Sequence, residues 1–377
     1  MNIYLTFADQ PSGVYRSQVE NVIKYLNQKE NLEIRLLAFI SIREYCKNRK
    51  KIKENIKYAI VVPMLPRLKN WQYNRFLLYI IFFLLKPKTV IARGVLAGWL
   101  AIKCRDKKFA KVVVYDGRGA ISAEWNEYQV VNNGWLRSNI FYWEKEVVLS
   151  SDKQIAVSNK LIEFWEEKFE YSGLNSVVIP CTLSNDYETL TLNNDELPSL
   201  RKKLGLPQDD IILVYSGSVA GWQSSELLSE FLTTQFNLQK NLSVLFLSKE
   251  TNEIIRLMNR FPDRVFCTFL SPSKVPEYLM ACDYGLLIRE SSITNKVASP
   301  VKFAEYLACG LKVIISPQIG DYSEMAVKNE VGILINQYQS ILKPIDRNEK
   351  KRFRYFALKH FSKSFYRGLY TSIINNY

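Results

Sequence analysis

Lys302 and Glu305 stand three residues apart in ASPVKFAEYLACGLKVIIS, residues 298–316. On a helix that spacing puts a cation and a carboxylate on one face. Ser299 suits an N-cap, Pro300 a first helical position and Gly310 a stop, so a helix is expected from about Pro300 to Cys309. The pair has an ordinary reading, an ion pair worth ~0.2–0.5 kcal/mol on a helix surface. It also has a chemical one, because a ligand carrying hydroxyl donors beside anionic oxygens needs both groups at once. Spacing leaves the two open.

Three other stretches put reactive side chains directly after apolar runs. In VVVYDGRGAISAEWNEY, Asp116, Gly117, Arg118 and Gly119 close a run of valines, and Glu124 and Glu127 follow. Asp and Arg beside two glycines are expected to be free of packing duty; a salt bridge between Asp116 and Arg118 is the structural alternative. In ILVYSGSVAGWQSSELL, Ser216, Gly217 and Ser218 make a glycine turn of the kind that offers backbone N–H groups to phosphate oxygens. In TFADQPSGVYRSQ, Ser12 and Gly13 lead into a helix carrying Arg16, and the glycine either admits a ligand or simply makes a turn. The dinucleotide fingerprint GxGxxG is absent, which counts against a nicotinamide or flavin enzyme.

The elements that position these groups are short apolar strands alternating with helical periodicity. Strands are expected at 3–5, 33–39, 58–62, 89–92, 111–115, 154–157 and 177–179, then at 211–215, 243–247, 264–269, 284–288, 312–315 and 331–335. Twofold strand-helix alternation means two α/β domains with parallel sheets. The polar, turn-rich stretch 180–199 is the expected linker. In such sheets ligands bind beyond the carboxyl ends of the strands, where all four candidate stretches lie.

A chain of 377 residues, 47% of them hydrophobic, can bury two cores. Its six cysteines, at 46, 104, 181, 267, 282 and 309, show no close pair of metal-binding or redox spacing, so a reducing cytoplasm is expected. MNIYLTFADQ lacks the pattern of a signal peptide and reads as a first strand. FLLYIIFFLL, residues 76–85, is too short to span a bilayer, which takes ~20 residues. Its neighbours Arg67, Lys69, Trp71, Tyr73, Arg75, Lys86 and Lys88 are of the type found along a membrane surface; a core helix with solvated ends is the other reading. Residues 1–180 carry 28 Lys+Arg against 17 Asp+Glu, and the rest of the net +14 is only +3. That field favours phosphate-rich partners without deciding the chemistry.

The pattern Ser-Pro-x-Lys-x-x-Glu-Tyr-Leu-Ala-x-Gly at 299–310, with the preceding DYGLL and the following KVII, closely resembles the donor-nucleotide domain of family-four glycosyltransferases, which have the GT-B fold. IAVSNKLIEFWEEKF and VVIPCTLS look like that family's segments closing the first domain, and VVVYDGRG resembles an acceptor-domain strand end. The resemblance is weakest over residues 40–88. It implies an α/β GT-B protein of two Rossmann-like domains facing across a cleft. Residues 1–182 would bind the acceptor, residues 183–357 the nucleotide sugar, and a terminal helix from about 358 to 377 would pack back on the first domain.

Through this resemblance, Glu305 would accept from ribose hydroxyls while Ser299, Pro300 and Lys302 face the diphosphate. Val297 stands where members often have a glutamate, and Ser218 and Gln223 where many have an arginine and a lysine. Lys249, Arg289 and Lys302 are then the candidates to offset diphosphate charge, with Gly217 and Ser218 in the donor turn. Glu290 and Asn295 are placed to stand in for the missing glutamate. Asp116 would position the acceptor hydroxyl and Arg118 hold phosphate or acceptor, with Ser12, Gly13, Arg16 and Glu124 lining the acceptor side. Transfer would be retaining and, in the absence of an Asp-x-Asp motif, metal-independent. No cofactor is expected beyond the nucleotide-sugar substrate. Expected partners are a glycan acceptor, lipid-linked as in surface polysaccharide assembly, and an anionic membrane face on the cytoplasmic side, but not nucleic acid. A GT-B sugar-nucleotide epimerase, a nucleic-acid-binding protein and a non-catalytic GT-B scaffold are the competing classes, separated by product analysis, by salt-dependent retention on nucleic acid and by donor binding without turnover.

Overall fold

Apolar runs without strict alternation suit parallel strands covered by helices on both faces. Thirteen such strands occur among the residues that the computed structural model describes, which are 1–65, 67–191, 197–217, 224–335 and 341–375. β1 (Asn2–Phe7), β2 (Ile34–Ile40), β3 (Ile60–Pro63), β4 (Thr89–Arg93), β5 (Val112–Gly117), β6 (Lys153–Ala156) and β7 (Ser176–Val178) form one sheet in the order β3-β2-β1-β4-β5-β6-β7. β8 (Ile211–Ser216), β9 (Leu242–Leu247), β10 (Val265–Thr268), β11 (Tyr284–Leu287), β12 (Lys312–Ile315) and β13 (Gly332–Leu334) form the other, in the order β10-β9-β8-β11-β12-β13. Every pairing is parallel. Each sheet therefore runs outward from its first strand and reverses beside it, at β1/β4 and at β8/β11. The carboxyl edge at such a reversal is where an open α/β sheet leaves a crevice.

The chain divides into two compact units. One holds Met1–Thr182, Val297–Ser299 and Lys363–Tyr377; the other holds Leu183–Lys296 and Pro300–Ser362.

In the first unit both faces of the sheet are buried. Ile3, Leu5 and Phe7 of β1 and Val113 and Tyr115 of β5 pack with the helices Gly94–Asp106 and Gly134–Ser150. Tyr4 and Val114 face the opposite core, shared with Val22 and Ile23 of the helix Asn21–Glu30 and with Tyr370, Ile373 and Ile374 of the helix Lys363–Asn375. Asp116 follows Val114 by two residues and so continues that second face.

The apolar run at 76–85 forms a helix with one buried and one exposed stripe. In the helix Asn74–Leu85, Asn74, Leu78 and Phe82 form a buried stripe. Phe76, Ile80, Phe83 and Leu84 form an exposed one, between 53% and 72% accessible. Among the described residues, no helix is long and apolar enough to cross a membrane.

The second unit has one continuous core, into which Phe303, Tyr306 and Leu307 of the helix Val301–Ala308 pack against β11 and β12. At the amino ends of β8 and β11, Asp283 gathers charge: Arg201 Nη2 lies 2.7 Å away and Lys350 Nζ 4.0 Å away, and the Ile212 N–H donates to Oδ2 at 2.9 Å. That end carries structure and leaves the carboxyl edge to the site.

Candidate functional site

In the second unit the site is built around the β8/β11 reversal. Gly285 of β11 has no side chain, and a Cβ there would lie 2.3 Å from the Tyr306 ring. The helix Val301–Ala308 therefore sits directly on the strand. Tyr306 uses the closeness: the Ser216 N–H at the end of β8 donates to its hydroxyl at 2.9 Å, and the hydroxyl reaches the Leu286 carbonyl at 3.4 Å. One phenol thus pins both strands at the reversal to the helix that carries Lys302 and Glu305.

Lys302 Nζ lies 2.7 Å from Glu305 Oε2. Glu305 is buried, at 8% accessibility, while Lys302 is more open. Beyond β11, Arg289 Nη1 donates to Asn295 Oδ1 at 3.2 Å, and Asn295 Nδ2 donates to the Glu290 carbonyl at 3.1 Å. Asn295 is fully enclosed, so this loop is stitched from within, and the Glu290 side chain is exposed. Lys249, past the end of β9, stands over the Phe269 ring at 5.6 Å. Gly217 is half-buried beyond β8. Ser218, like Gln223, lies outside the described residues.

Two expectations are corrected. The helix is Val301–Ala308 with Pro300 in the cap position, and the Ser299 hydroxyl accepts from the Cys181 N–H at 2.9 Å. A backbone donor distant in sequence occupies that oxygen and the helix begins one residue later, so Ser299 and Pro300 do not take the expected cap and first-turn roles. Likewise Gly117 has a packing duty: a Cβ would fall 2.6 Å from Trp165, and β5 runs on through Asp116 and Gly117.

In the first unit, Asp116 is 2% accessible and engaged on both oxygens. The Tyr4 hydroxyl donates to Oδ2, and Arg118 Nε lies 3.1 Å from Oδ1. Burial, then the Asp116 charge, pushes the Tyr4 phenol well above its ordinary range, so it stays a donor. Burial is the largest single influence and works against the Arg118 charge, but Asp116 together with Tyr4, Cys181 and Tyr370 outweighs it and the guanidinium is held above its ordinary range. The Asp116–Arg118 salt bridge named as an alternative is therefore present.

The remaining first-unit candidates do not join that pair through any observed contact. The Ser12 hydroxyl accepts from the Tyr15 N–H at 3.2 Å and caps the helix start; Gly13 and Arg16 are exposed beside it. Glu124 is partly buried, and burial raises its carboxyl pKa.

No family model matches the sequence, and no curated protein matches it. Solved structures are similar over the whole chain. HepE from Anabaena, in complex with UDP, superposes with a TM-score of 0.73 at 12% identity, covering 100% of both chains. A glycosyltransferase from Rickettsia africae gives 0.71 at 18% identity, covering 100% of this chain and 99% of that one. WaaG, a glycosyltransferase involved in lipopolysaccharide biosynthesis, gives 0.66 at 12%, covering 100% of both. The fold is GT-B.

Within this GT-B chain the structure adds residues that sequence reasoning missed. Tyr306 and Gly285 lie inside the motif already quoted, yet their contact joins positions that spacing alone does not pair. Tyr4, Asp9 and Arg93 join Asp116 at the carboxyl edge of the first sheet. A charged residue ending the apolar run of β4 was a visible signal for Arg93. Val297, where the resemblance leads one to expect a glutamate, is 3% accessible and belongs to the first unit's apolar core, while its carbonyl accepts from the Ser158 hydroxyl at 2.7 Å.

Proposed function

We propose that the protein is a retaining family-four glycosyltransferase that moves a sugar from a nucleotide sugar to a glycan acceptor, lipid-linked, in surface polysaccharide biosynthesis. The observation that carries this reading is the Lys302–Glu305 face, held at the β8/β11 reversal by Tyr306. A nucleotide presents ribose hydroxyls beside diphosphate oxygens, and a buried carboxylate beside a more open cation meets both. The GT-B fold and the UDP bound to HepE support the same ligand class.

In this reading Glu305 accepts from the ribose diol. Lys302, Arg289 and Lys249 offset the charge of the departing nucleoside diphosphate, so leaving-group stabilisation is assigned to the chain's own cations and no cofactor is invoked. Gly217 lets the backbone approach the diphosphate, and Glu290 faces the donor sugar as its oxocarbenium character develops. In the first unit Asp116 organises Arg118, which holds the acceptor, and Ser12, Gly13, Arg16 and Glu124 line the acceptor side.

The exposed stripe Phe76, Ile80, Phe83 and Leu84 is flanked by exposed Arg67, Lys69, Lys86 and Lys88. An apolar strip bordered by cations is complementary to an anionic bilayer, and each such cation adds ~1 kcal/mol near its surface. We assign the protein to the inner face of the cell membrane on this ground.

The test incubates the purified chain with labelled nucleotide sugars and anionic liposomes carrying a membrane lipid extract. Label transferred into the lipid fraction with its anomeric configuration kept, on liposomes that co-sediment the protein at low salt, is the expected result. Recovery of an epimerised donor without any acceptor product overturns the transferase reading. Protein left in the supernatant overturns the membrane assignment.

A further inference from the structure

The β1/β4 reversal of the first sheet holds a second charged constellation, distinct from the donor face. Arg93 closes β4, in register with Thr6 of β1 and Asp116 of β5. Its guanidinium lies between two carboxylates: Nε is 3.5 Å from Asp9 Oδ2, and Nη1 is 3.8 Å from Asp116 Oδ2. Those carboxylates differ in what they can still do. Asp116 is enclosed and engaged by Tyr4 and Arg118, so no substrate atom reaches it directly. Asp9 has Oδ2 buried, yet its side chain keeps 37% of its accessibility. The open part of that carboxylate stands at the carboxyl edge where a crevice forms.

The backbone explains how Asp9 gets there. Ala8, the first residue after β1, has φ +61, a left-handed conformation that non-glycine residues rarely take. Its N–H still bonds the Phe39 carbonyl at 2.9 Å, so the chain stays paired up to the turn and then swings away at once. Strain of this sort persists where the surroundings over-determine it.

We propose that Asp9 receives the hydroxyl of the glycan acceptor and that Arg93 positions it by holding Oδ2. This rests on the transferase reading above. A partly open carboxylate at that carboxyl edge selects a hydrogen-bond donor such as a sugar hydroxyl and repels a phosphate, so the group placed here is the acceptor's hydroxyl. Arg93 is a positioning residue, and Asp116, with Tyr4 and Arg118 behind it, fixes Arg93 in turn. The charged and titratable groups that face Asp9 are Arg93, Asp116, Arg118 and Tyr15. Burial raises the Asp9 carboxyl pKa; Arg93 opposes the shift and Asp116 adds to it. Removing Arg93 should therefore move the acid limb of the activity profile to higher pH, which a merely structural arginine would not do.

The experiment compares wild type, Asp9→Asn, Arg93→Gln and Arg93→Lys. UDP, GDP, ADP and dTDP each serve as a binding probe by thermal shift, and a panel of octyl glycosides serves as acceptors for the matching nucleotide sugars. Asp9→Asn should keep the nucleotide-induced shift and lose roughly ten- to hundredfold in kcat/KM for the acceptor, mostly through KM, as expected for a hydrogen bond to a charged group. Arg93→Gln should show the displaced acid limb, and Arg93→Lys should restore part of it. Wild-type transfer matched by Asp9→Asn overturns the Asp9 assignment alone, whereas wild-type nucleotide binding with no transfer to any octyl glycoside overturns the transferase reading on which it rests. No nucleotide-induced shift in the wild type overturns the transferase reading beneath it.

Discussion

Glu144 is a carboxylate with no measurable accessibility, so its partners must come from inside the fold. The Ile121 and Ser122 N–H groups donate to its two oxygens at 3.1 and 2.8 Å. They are the first two of the helix Ile121–Glu127, which follows β5 after Arg118, Gly119 and Ala120 and carries Glu124. Burial is the dominant cause that lifts the Glu144 pKa from 4.5 to about 7, against those hydrogen bonds. Between these values the folded protein holds a proton that the unfolded chain has released, so this contribution to stability is full below about 4.5 and is lost as pH rises through about 7. Chemical denaturation of wild type and Glu144→Gln across that window should show the wild type losing about 1–3 kcal/mol more than the variant; parallel curves would remove Glu144 as the cause. Neither this residue nor Asp116 was legible as buried. A carboxylate in a sequence carries no mark of the donors that will enclose it, and those of Glu144 lie more than twenty positions away.

At the scale of elements, the seating of the helix Val301–Ala308 decides where Lys302 and Glu305 stand. Gly285→Ala inserts a methyl 2.3 Å from the Tyr306 ring, whereas at Gly134, the first residue of the helix Gly134–Ser150, a Cβ would meet nothing within 4 Å. Gly285→Ala should destabilise the protein by about 1–3 kcal/mol through overpacking, and Gly134→Ala should be near neutral. Urea unfolding of both variants checks this; equal stability would mean the helix is free to shift. The thirteen strands were legible because β-branched and aliphatic runs of that length, bounded by turn formers, have few other uses in an α/β chain. The start of this helix was misread because Ser299 is a good cap by type, and only the fold reveals that the Cys181 N–H takes its hydroxyl. The same limit hid Tyr306: the motif shows a tyrosine, but its bridge to Ser216 spans 90 positions.

For the whole molecule, two parallel sheets of the same outward-and-back order give two carboxyl edges at which the reversals lie. The first carries the Asp9–Arg93–Asp116–Arg118 constellation, and the second carries Lys302 and Glu305. The sequence showed this doubling through its alternation, and it showed the basic first half through composition. It did not show that Val297–Ser299 belongs with residues 1–182, because membership in a core is a property of contacts; that a terminal helix joins that unit was expected through the resemblance alone. Nucleotide binding by the second edge is the central claim, and thermal unfolding with a panel of nucleoside diphosphates tests it most directly, using wild type, Glu305→Ala and Lys302→Ala. One nucleoside diphosphate should stabilise the wild type, by about 2.7 kcal/mol at a hundredfold excess over Kd, and both substitutions should abolish the effect. No response to any nucleotide, or an undiminished response in both variants, would contradict the claim.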